Sequence, residues 1–192
     1  MGEVINEINI QSNSEAAIVS DVGQHQMIAC RYATYNTTKS NITSGGLGTM
    51  GFALPAAIGA KMAAPDREVV MIAGDGGYQM NIQELGTIFQ QKTPVKIVVL
   101  NNEFLGMVRQ WQQLFFDKRY ASTVMKNPDF VALAKAYGLF AERVTKTEDF
   151  AQVFEQASQA GIPALIEIQV DPEAITPSKT LSGITKTQLN KK

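Results

Sequence analysis

Two polar segments of the sequence have the residue types of a metal and phosphate site. The first is the Gly-Asp-Gly-Gly segment 74–77, and the second is Asn101-Asn102; each directly follows an apolar run. The carboxylate of Asp75 and the amide of Asn102 offer oxygen ligands of the kind that Mg²⁺ prefers, and Mg²⁺ keeps other positions open for phosphate oxygens and water. The two glycines after Asp75 let the backbone approach a ligand closely. Together the segments predict a metal-bridged diphosphate site.

The elements around these segments place both at neighbouring strand ends. Short apolar, mostly β-branched runs predict buried strands at 17–20, 68–73, 95–100 and 164–170. Helical periodicity predicts helices at 47–64, 81–91, 129–137 and 148–160. This alternation predicts an α/β fold, with a mostly parallel sheet sandwiched by helices. A right-handed crossover between the second and third strands would bring Asp75 and Asn102 side by side at the carboxyl edge of the sheet.

Each segment also has a plainer structural explanation. Gly-Asp-Gly-Gly is typical of a tight turn between a strand and a helix. Asn101 and Asn102, however, close a strand where a core would favour apolar residues, and burying polar groups is costly without a partner. A helix expected to begin near Asn81 would point its N-terminal amides at the same edge, which suits a diphosphate. We therefore favour the ligand site over the simple turn.

Four further segments add a family resemblance. They are 21–27, which contains Gln-His-Gln-Met, and 43–52, 54–60 and 106–111, the last reading Gly-Met-Val-Arg-Gln-Trp. In this order around the metal segments, the chain resembles the C-terminal domain of the acetolactate synthase (acetohydroxyacid synthase) catalytic subunit over about residues 17–172. The resemblance implies a thiamine diphosphate-binding (PP-type) fold. We expect one domain over residues 1–192, with a partly irregular tail at 173–192.

The resemblance implies a role for individual residues. Asp75 and Asn102 would bind Mg²⁺ through their side chains, and Phe104 through its backbone carbonyl. Gly48 would accept the aminopyrimidine amine at its carbonyl, and Met50 would hold the coenzyme in a bent conformation. The residues implied to contact the coenzyme are Gln24, His25, Gly48, Met50, Gly74, Asp75, Gly76, Gly77 and Asn102.

The same resemblance implies a substrate channel. Met107, Val108 and Trp111 match the run that lines this channel in the family, and their spacing places them on one helical face. Core packing alone would give the same spacing. Similarly, without the family, Met50 fits simple helix packing and His25 fits a helix-start residue with satisfied hydrogen bonds.

Composition limits the other classes of function. The 192 residues are 45% hydrophobic and 18% charged, which is typical of one globular domain. With 17 basic and 18 acidic residues and no basic cluster, we expect neither nucleic acid nor membrane as a partner. The lone Cys30, the lack of a basic leader and the lack of an apolar run of roughly 18 to 20 residues favour a cytoplasmic protein.

Two alternatives stay open. Segment 46–51 satisfies Gly-x-Gly-x-x-Gly and is typical of an NAD-binding Rossmann module, but Asp66 precedes the next predicted strand where that motif needs an acidic residue at the strand end. The β-chain of a two-chain thiamine diphosphate 2-ketoacid decarboxylase can also be this short, although the Gln-His-Gln-Met and Gly-Met-Val-Arg-Gln-Trp words favour the synthase. One histidine and one cysteine are too few for a zinc site, and the chain has no hydrolase nucleophile motif.

The resemblance finally implies what other domains supply. Family catalytic subunits are longer, with a pyrimidine-binding domain that contributes a glutamate and a central domain that holds FAD. We expect this chain to bind thiamine diphosphate and Mg²⁺ but not FAD, to contain no proton-transfer residue, and to be inactive alone. The parent enzyme would decarboxylate pyruvate and join the hydroxyethyl unit to pyruvate or 2-ketobutyrate in branched-chain amino acid biosynthesis. Its expected partners are the pyrimidine-binding domain, a second copy in a homo-oligomer and a regulatory subunit.

Overall fold

Six parallel strands form one sheet in the computed structural model, which describes residues 1–172. The strand order is β2-β1-β3-β4-β6-β5, and every neighbouring pair is parallel. The predicted α/β fold is therefore confirmed, while the predicted tail at 173–192 lies outside the described residues. The strands are β1 Ala17–Ser20, β2 Asn41–Thr43, β3 Val69–Gly74, β4 Lys96–Asn101, β5 Phe140–Val144 and β6 Ala164–Gln169.

The described residues contain eight α-helices, seven of which cover the two faces of the sheet. They are α1 Gly2–Gln11, α2 Gln24–Tyr32, α3 Ala53–Ala63, α4 Asp75–Met80, α5 Leu85–Gln91, α6 Gly106–Phe115, α7 Phe130–Ala136 and α8 Phe150–Gln159. Helices α3, α4, α5 and α7 pack on one face, and α1, α2 and α8 pack on the other.

Alternate residues of each central strand feed the two cores. In β3, Met71 packs with the first helical layer, whereas Val70 and Ile72 pack with the second. Successive side chains of a strand point to opposite faces, so a strand with helices on both sides must be apolar throughout. This is why β1, β3, β4 and β6 could be predicted from continuous apolar runs.

Both missed strands lie at the sheet edges. β2 is only three residues long, and none of its residues is fully buried. β5 carries Glu142 and Arg143 in its middle, and these charged residues break the apolar run. Because an edge strand pairs on one side only and its exposed residues tolerate polar side chains, its sequence carries a weak strand signal.

Two predicted helix starts are wrong. The helix predicted at 47–64 begins only at Ala53, because Gly48 and Gly51 have positive φ angles of 65° and 85° in the turn before it. The helix predicted at 81–91 is a 3₁₀ turn, Ile82–Glu84, followed by α5, and a separate helix that was not predicted, α4, precedes it and starts at Asp75. The helix start at the predicted site is therefore that of α4.

The chain reverses its winding direction at β1. From β1 it passes through α2 to β2 at one side, and then returns through α3 to β3 on the other side of β1. The carboxyl ends of β1 and β3 are adjacent, with Ser20 opposite Ile72 in the register. Open α/β sheets bind ligands at such a switch point, outside the carboxyl ends of the strands.

Candidate functional site

A cavity of about 220 Å³ opens at this switch point, beside the carboxyl ends of β1, β3 and β4. All ten residues predicted to contact the coenzyme or the metal line it: Gln24, His25, Gly48, Met50, Gly74, Asp75, Gly76, Gly77, Asn102 and Phe104. Met107 and Val108 of the predicted channel also line it. Trp111 is not among the lining residues; it is 57% exposed and packs edge-on against Phe115. The geometry brings the predicted residues together, and their individual roles stay predictions.

Asp75 occupies the first position of α4, directly after the buried strand β3. Its side chain is almost completely buried, and its Oδ2 accepts a hydrogen bond of 2.8 Å from Asn127 Nδ2. Burial raises the pKa of Asp75, while hydrogen bonds from Asn127 and the backbone amides of Gly76 and Glu103 oppose the shift. A buried carboxylate is costly to ionise unless a cation is nearby. Asp75 therefore has the environment expected of a metal ligand.

The two asparagines after β4 have different environments. Asn102 lines the cavity, and its Oδ1 accepts a hydrogen bond of 3.1 Å from the Phe104 amide. Asn101 is buried instead, and its Nδ2 donates to Glu167 Oε1 at 2.7 Å. Glu103 adopts a left-handed conformation with φ of 58°, which makes the tight turn that carries both Asn102 and Phe104 to the cavity. This difference is consistent with the prediction that the second asparagine, rather than the first, binds the metal.

His25 stands at the start of α2 with its imidazole buried. No hydrogen-bond partner for Nε2 is present among the described residues, so the interpretation of His25 as a satisfied helix-start residue is wrong. Burial lowers the pKa of His25 to about 4, against the opposing effect of Asp21, so the ring is neutral at pH 7. Gly23 makes room for the ring: it has a φ of 155°, and a Cβ there would lie 2.7 Å from His25 Cε1.

The turn that carries Gly48 and Met50 is held by the carboxylate of Asp21. Asp21 is fully buried and accepts hydrogen bonds from the backbone amides of Gly51 at 3.0 Å and Ala53 at 3.1 Å. Asn81 adds a bond of 2.7 Å from its Nδ2 to the Gly51 carbonyl. Met50 precedes α3 rather than lying on it, and its side chain reaches α4, where a Cβ on Gly76 would lie 3.8 Å from Met50 Cε.

Sequence reasoning missed three polar residues that support the site. Asp21 could have been found, because it is the first residue after β1 at the ligand-binding edge. Gln110 is buried on α6 and accepts a hydrogen bond of 2.8 Å from Gln24 Nε2. Asn127 lies outside any helix or strand and contacts Asp75. No local signal distinguishes the last two from surface polar residues, because their partners are distant in sequence.

The residues present fit a magnesium-bridged diphosphate. His25 Nε2 is a buried polar atom that needs a partner, and it belongs to a residue that lines the cavity. Residues 1–172 contain no group of three or more His, Cys, Asp or Glu side chains arranged to hold a metal. A site with one carboxylate and one amide matches Mg²⁺, which binds through one or two carboxylates and completes its shell with phosphates and water. Gly106 makes room for two of the lining side chains, because a Cβ there would clash with Gln24 Oε1 and Asn102 Nδ2.

Comparison with known proteins agrees with this geometry. Residues 21–168 match the family described as "Thiamine pyrophosphate enzyme, C-terminal TPP binding domain". The chain belongs to this family. The match covers the sheet from the end of β1 and every predicted coenzyme and metal residue, and it favours thiamine pyrophosphate over the dinucleotide alternative.

Similar proteins include several acetolactate synthase subunits, so the predicted resemblance is confirmed. The isozyme 2 large subunit of Escherichia coli is 43% identical over 88% of this chain and 31% of its own length. The large subunit of Cyanidium caldarium is 46% identical over 96% of this chain and 33% of its own. The mitochondrial catalytic subunit of Saccharomyces cerevisiae is 50% identical over 80% of this chain and 22% of its own. The chain thus spans a third or less of the length of these relatives.

The described part of the chain, residues 1–172, contains no helix with the length and apolar character needed to cross a membrane.

Proposed function

We propose that this chain is the Mg²⁺- and thiamine diphosphate-binding part of an acetolactate synthase catalytic subunit. The observation that carries the proposal is the cavity at the switch point, where the ten residues that the resemblance implies, from four segments of the chain, meet. Family membership supports the coenzyme, and the similarity to acetolactate synthase subunits supports the reaction. The proposed reaction is decarboxylation of pyruvate and transfer of the two-carbon unit to pyruvate or 2-ketobutyrate, in branched-chain amino acid biosynthesis.

The chain's own residues would bind and orient the coenzyme and Mg²⁺. Thiamine diphosphate, when bound, supplies an electron sink for decarboxylation of a 2-ketoacid. Asp75, Asn102 and the Phe104 carbonyl would hold Mg²⁺ against the diphosphate. His25 would place Nε2 beside the diphosphate, where protonation of the ring would let Nε2 donate to a phosphate oxygen. Met50, with the neighbouring apolar wall, would exclude water from the reacting end of the coenzyme.

Proton transfer needs a group from another domain. Asp75 is the sole carboxylate among the described residues that line the cavity, and its proposed role as a metal ligand leaves none for the pyrimidine ring. This supports a glutamate supplied by a pyrimidine-binding domain, and an isolated chain that binds the coenzyme without turnover. We further propose that the parent enzyme is a homo-oligomer. We also propose that FAD and a regulatory subunit belong to the parent enzyme rather than to this domain.

The proposed location is the cytoplasm, in keeping with the single thiol of Cys30. Relatives from two yeasts carry the word "mitochondrial" in their names, so a measured location, for example from fractionation of the native cells, decides this point.

Calorimetric titration of thiamine diphosphate, with and without Mg²⁺, tests the binding function. We expect saturable, Mg²⁺-dependent binding to the wild-type chain and a loss of at least tenfold in affinity for Asp75→Ala, because the variant lacks the carboxylate ligand. Asp66→Ala is the matched control, since Asp66 is exposed and far from the cavity lining. Unchanged affinity in Asp75→Ala, or binding that ignores Mg²⁺, would contradict the proposed metal site. Acetolactate formed from pyruvate by the purified chain would contradict the proposed need for a second domain.

A further inference from the structure

A segment outside the regular elements runs along the turn that carries the predicted metal ligands. Residues 121–127, here called the strap, lie antiparallel to the turn after β4 and form a bridge between Phe104 and Val124. The Leu105 amide donates to the Thr123 carbonyl at 2.8 Å, and the Met125 amide donates to the Glu103 carbonyl at 2.8 Å. These two bonds fix the backbone on both sides of Phe104, whose carbonyl is the predicted third protein ligand.

The last residue of the strap contacts the metal carboxylate itself. Asn127 Nδ2 donates to Asp75 Oδ2 at 2.8 Å and to Asn101 Oδ1 at 2.9 Å, so both of its amide hydrogens are used. Its Oδ1 accepts from Gln79 Nε2 at 2.6 Å. Three bonds to three residues hold the amide in one orientation. Asn127 is not among the residues that line the cavity, so it acts on the site through Asp75.

A buried carboxylate, itself paired with charged groups nearer the surface, fixes the other partner of Asn127. Asn101 Nδ2 donates to Oε1 of Glu167, a carboxylate that is only 2% exposed. Glu167 Oε2 accepts from Arg143 Nε at 2.9 Å, and Arg143 Nη2 in turn contacts Asp129 Oδ1 at 3.0 Å. A buried carboxylate is retained at low cost only when it is paired and hydrogen-bonded. Here its pairing orients the Asn101 amide so that Oδ1 faces Asn127.

We propose that Asn127 is a positioning residue of the metal site, which rests on the proposed function. Its bond to Oδ2 sets the rotation of the Asp75 carboxylate, and the strap sets the Phe104 carbonyl, so two of the three protein ligands are in place before Mg²⁺ arrives. An ionised carboxylate has about four lone-pair sites, so the Asn127 bond leaves room for the cation. Partners that orient a metal ligand from outside typically contribute about 10- to 100-fold to metal affinity.

The test compares Asn127→Ala with Asn36→Ala in the full chain. Asn36 also uses its Nδ2 to bond a distant backbone carbonyl, that of Asn13 at 2.9 Å, but it is exposed and does not line the cavity. Mg²⁺ is titrated calorimetrically at saturating thiamine diphosphate, and the melting temperature of each variant is measured without either ligand. We expect a loss of Mg²⁺ affinity of at least tenfold for Asn127→Ala and wild-type affinity for Asn36→Ala.

A merely structural role gives a different result. In that case Asn127→Ala would melt at a lower temperature without ligands yet bind Mg²⁺ as tightly as wild type, and this outcome would overturn the proposal. If Asn127→Ala does not fold, Gln79→Ala serves instead, because it frees the Asn127 amide without removing the bond donor of Asp75. We expect a smaller but measurable loss of Mg²⁺ affinity for that variant, and wild-type affinity would overturn the proposal.

Measurements on the wild type and on Asp75→Ala distinguish the positioning role of Asn127 from the proposed metal site on which it rests. Mg²⁺-independent binding by the wild type would overturn both proposals. Mg²⁺-dependent binding that is lost in Asp75→Ala but retained in Asn127→Ala would leave the metal site standing and overturn only the positioning role.

Discussion

The His25 imidazole is the most unusual single group in the site, because it is buried and its Nε2 has no partner among the described residues. Its folded-state pKa of about 4 lies below the ordinary value of 6.5, chiefly because of burial. A buried neutral ring with an open Nε2 is costly in the absence of a ligand. The atom belongs to a residue that lines the cavity, where a bound ligand would give it a partner.

This shift predicts a pH dependence of stability. Below about pH 6.5 the unfolded chain binds a proton at His25, whereas the folded chain does so only below about pH 4. The contribution of His25 to the free energy of unfolding is therefore complete above about pH 6.5. It is lost as the pH falls through the window from there to about 4, by up to about 3 kcal/mol. Urea unfolding of the wild type and of His25→Asn, at pH values on both sides of the window, measures this contribution.

The comparison with His25→Asn isolates the one group. Asp75, whose pKa is raised, titrates in both proteins and so cancels in the difference. We expect the wild type to lose more stability than His25→Asn on acidification. Parallel pH profiles for the two proteins would show that the folded and unfolded states protonate His25 equally.

At the scale of residues, sequence alone predicts the groups that a motif makes conspicuous. Asp75 and Asn102 could be found because a strand-ending polar residue is unusual and the two strands are adjacent in sequence. Asn127 and Gln110 could not, because their partners Asp75 and Gln24 are 52 and 86 residues away. A local pattern cannot identify a hydrogen bond that depends on the packing of distant elements.

Among the elements, the turn between β2 and α3 depends most on a single side chain. This turn carries Gly48 and Met50, and the buried carboxylate of Asp21 accepts from the backbone amides at its end and at the start of α3. It has no strand or helix of its own to fix it. We infer that Asp21 holds the end of this segment against β1, together with the bond from Asn81 to the Gly51 carbonyl.

Substitution of Asp21 should therefore destabilise the protein and weaken the coenzyme together. Asp21→Ala leaves the amides of Gly51 and Ala53 buried without acceptors, so we expect the free energy of unfolding to fall by about 3 kcal/mol. Thiamine diphosphate affinity should also fall, because Gly48 and Met50 lose their support. Denaturant unfolding and calorimetry measure both effects. The exposed Asp66→Ala should change stability by no more than about 0.5 kcal/mol, and equal stability of the two variants would contradict the inference.

The predicted helix starts are wrong because the observed ones, like the turn before α3, depend on contacts with residues distant in sequence. The sequence at 47–64 is rich in alanine and reads as one helix, yet α3 starts at Ala53, because glycines at positive φ and a distant carboxylate hold the preceding residues in a turn. Likewise α4 begins at Asp75, directly after the last residue of β3, and both of these residues line the cavity. Helix propensity is a weak influence beside such tertiary contacts.

For the whole molecule, helix α6 carries both part of the cavity lining and an exposed apolar face. The first turn of α6 lines the cavity with Met107 and Val108. Further along, Trp111 and Phe115 are 57% and 63% exposed, on the same face as Val108, and Phe116 follows them. A contiguous apolar face of this kind is typical of an interaction surface, and the chain spans a third or less of its relatives. We infer that this α6 face, Val108, Trp111 and Phe115, is a contact surface of the proposed oligomer.

In the isolated chain, the α6 face should cause self-association. We expect the apparent mass in sedimentation to rise with protein concentration, and the double variant Trp111→Glu/Phe115→Glu to remain monomeric, because two charges on this face make its burial unfavourable. Mg²⁺-dependent coenzyme affinity should not change, since neither side chain lines the cavity. Ile10→Glu is the control, because Ile10 is 68% exposed on α1, away from this face. If the double variant associates as strongly as Ile10→Glu, the contact between copies must use another surface, and the α6 face would have no part in it.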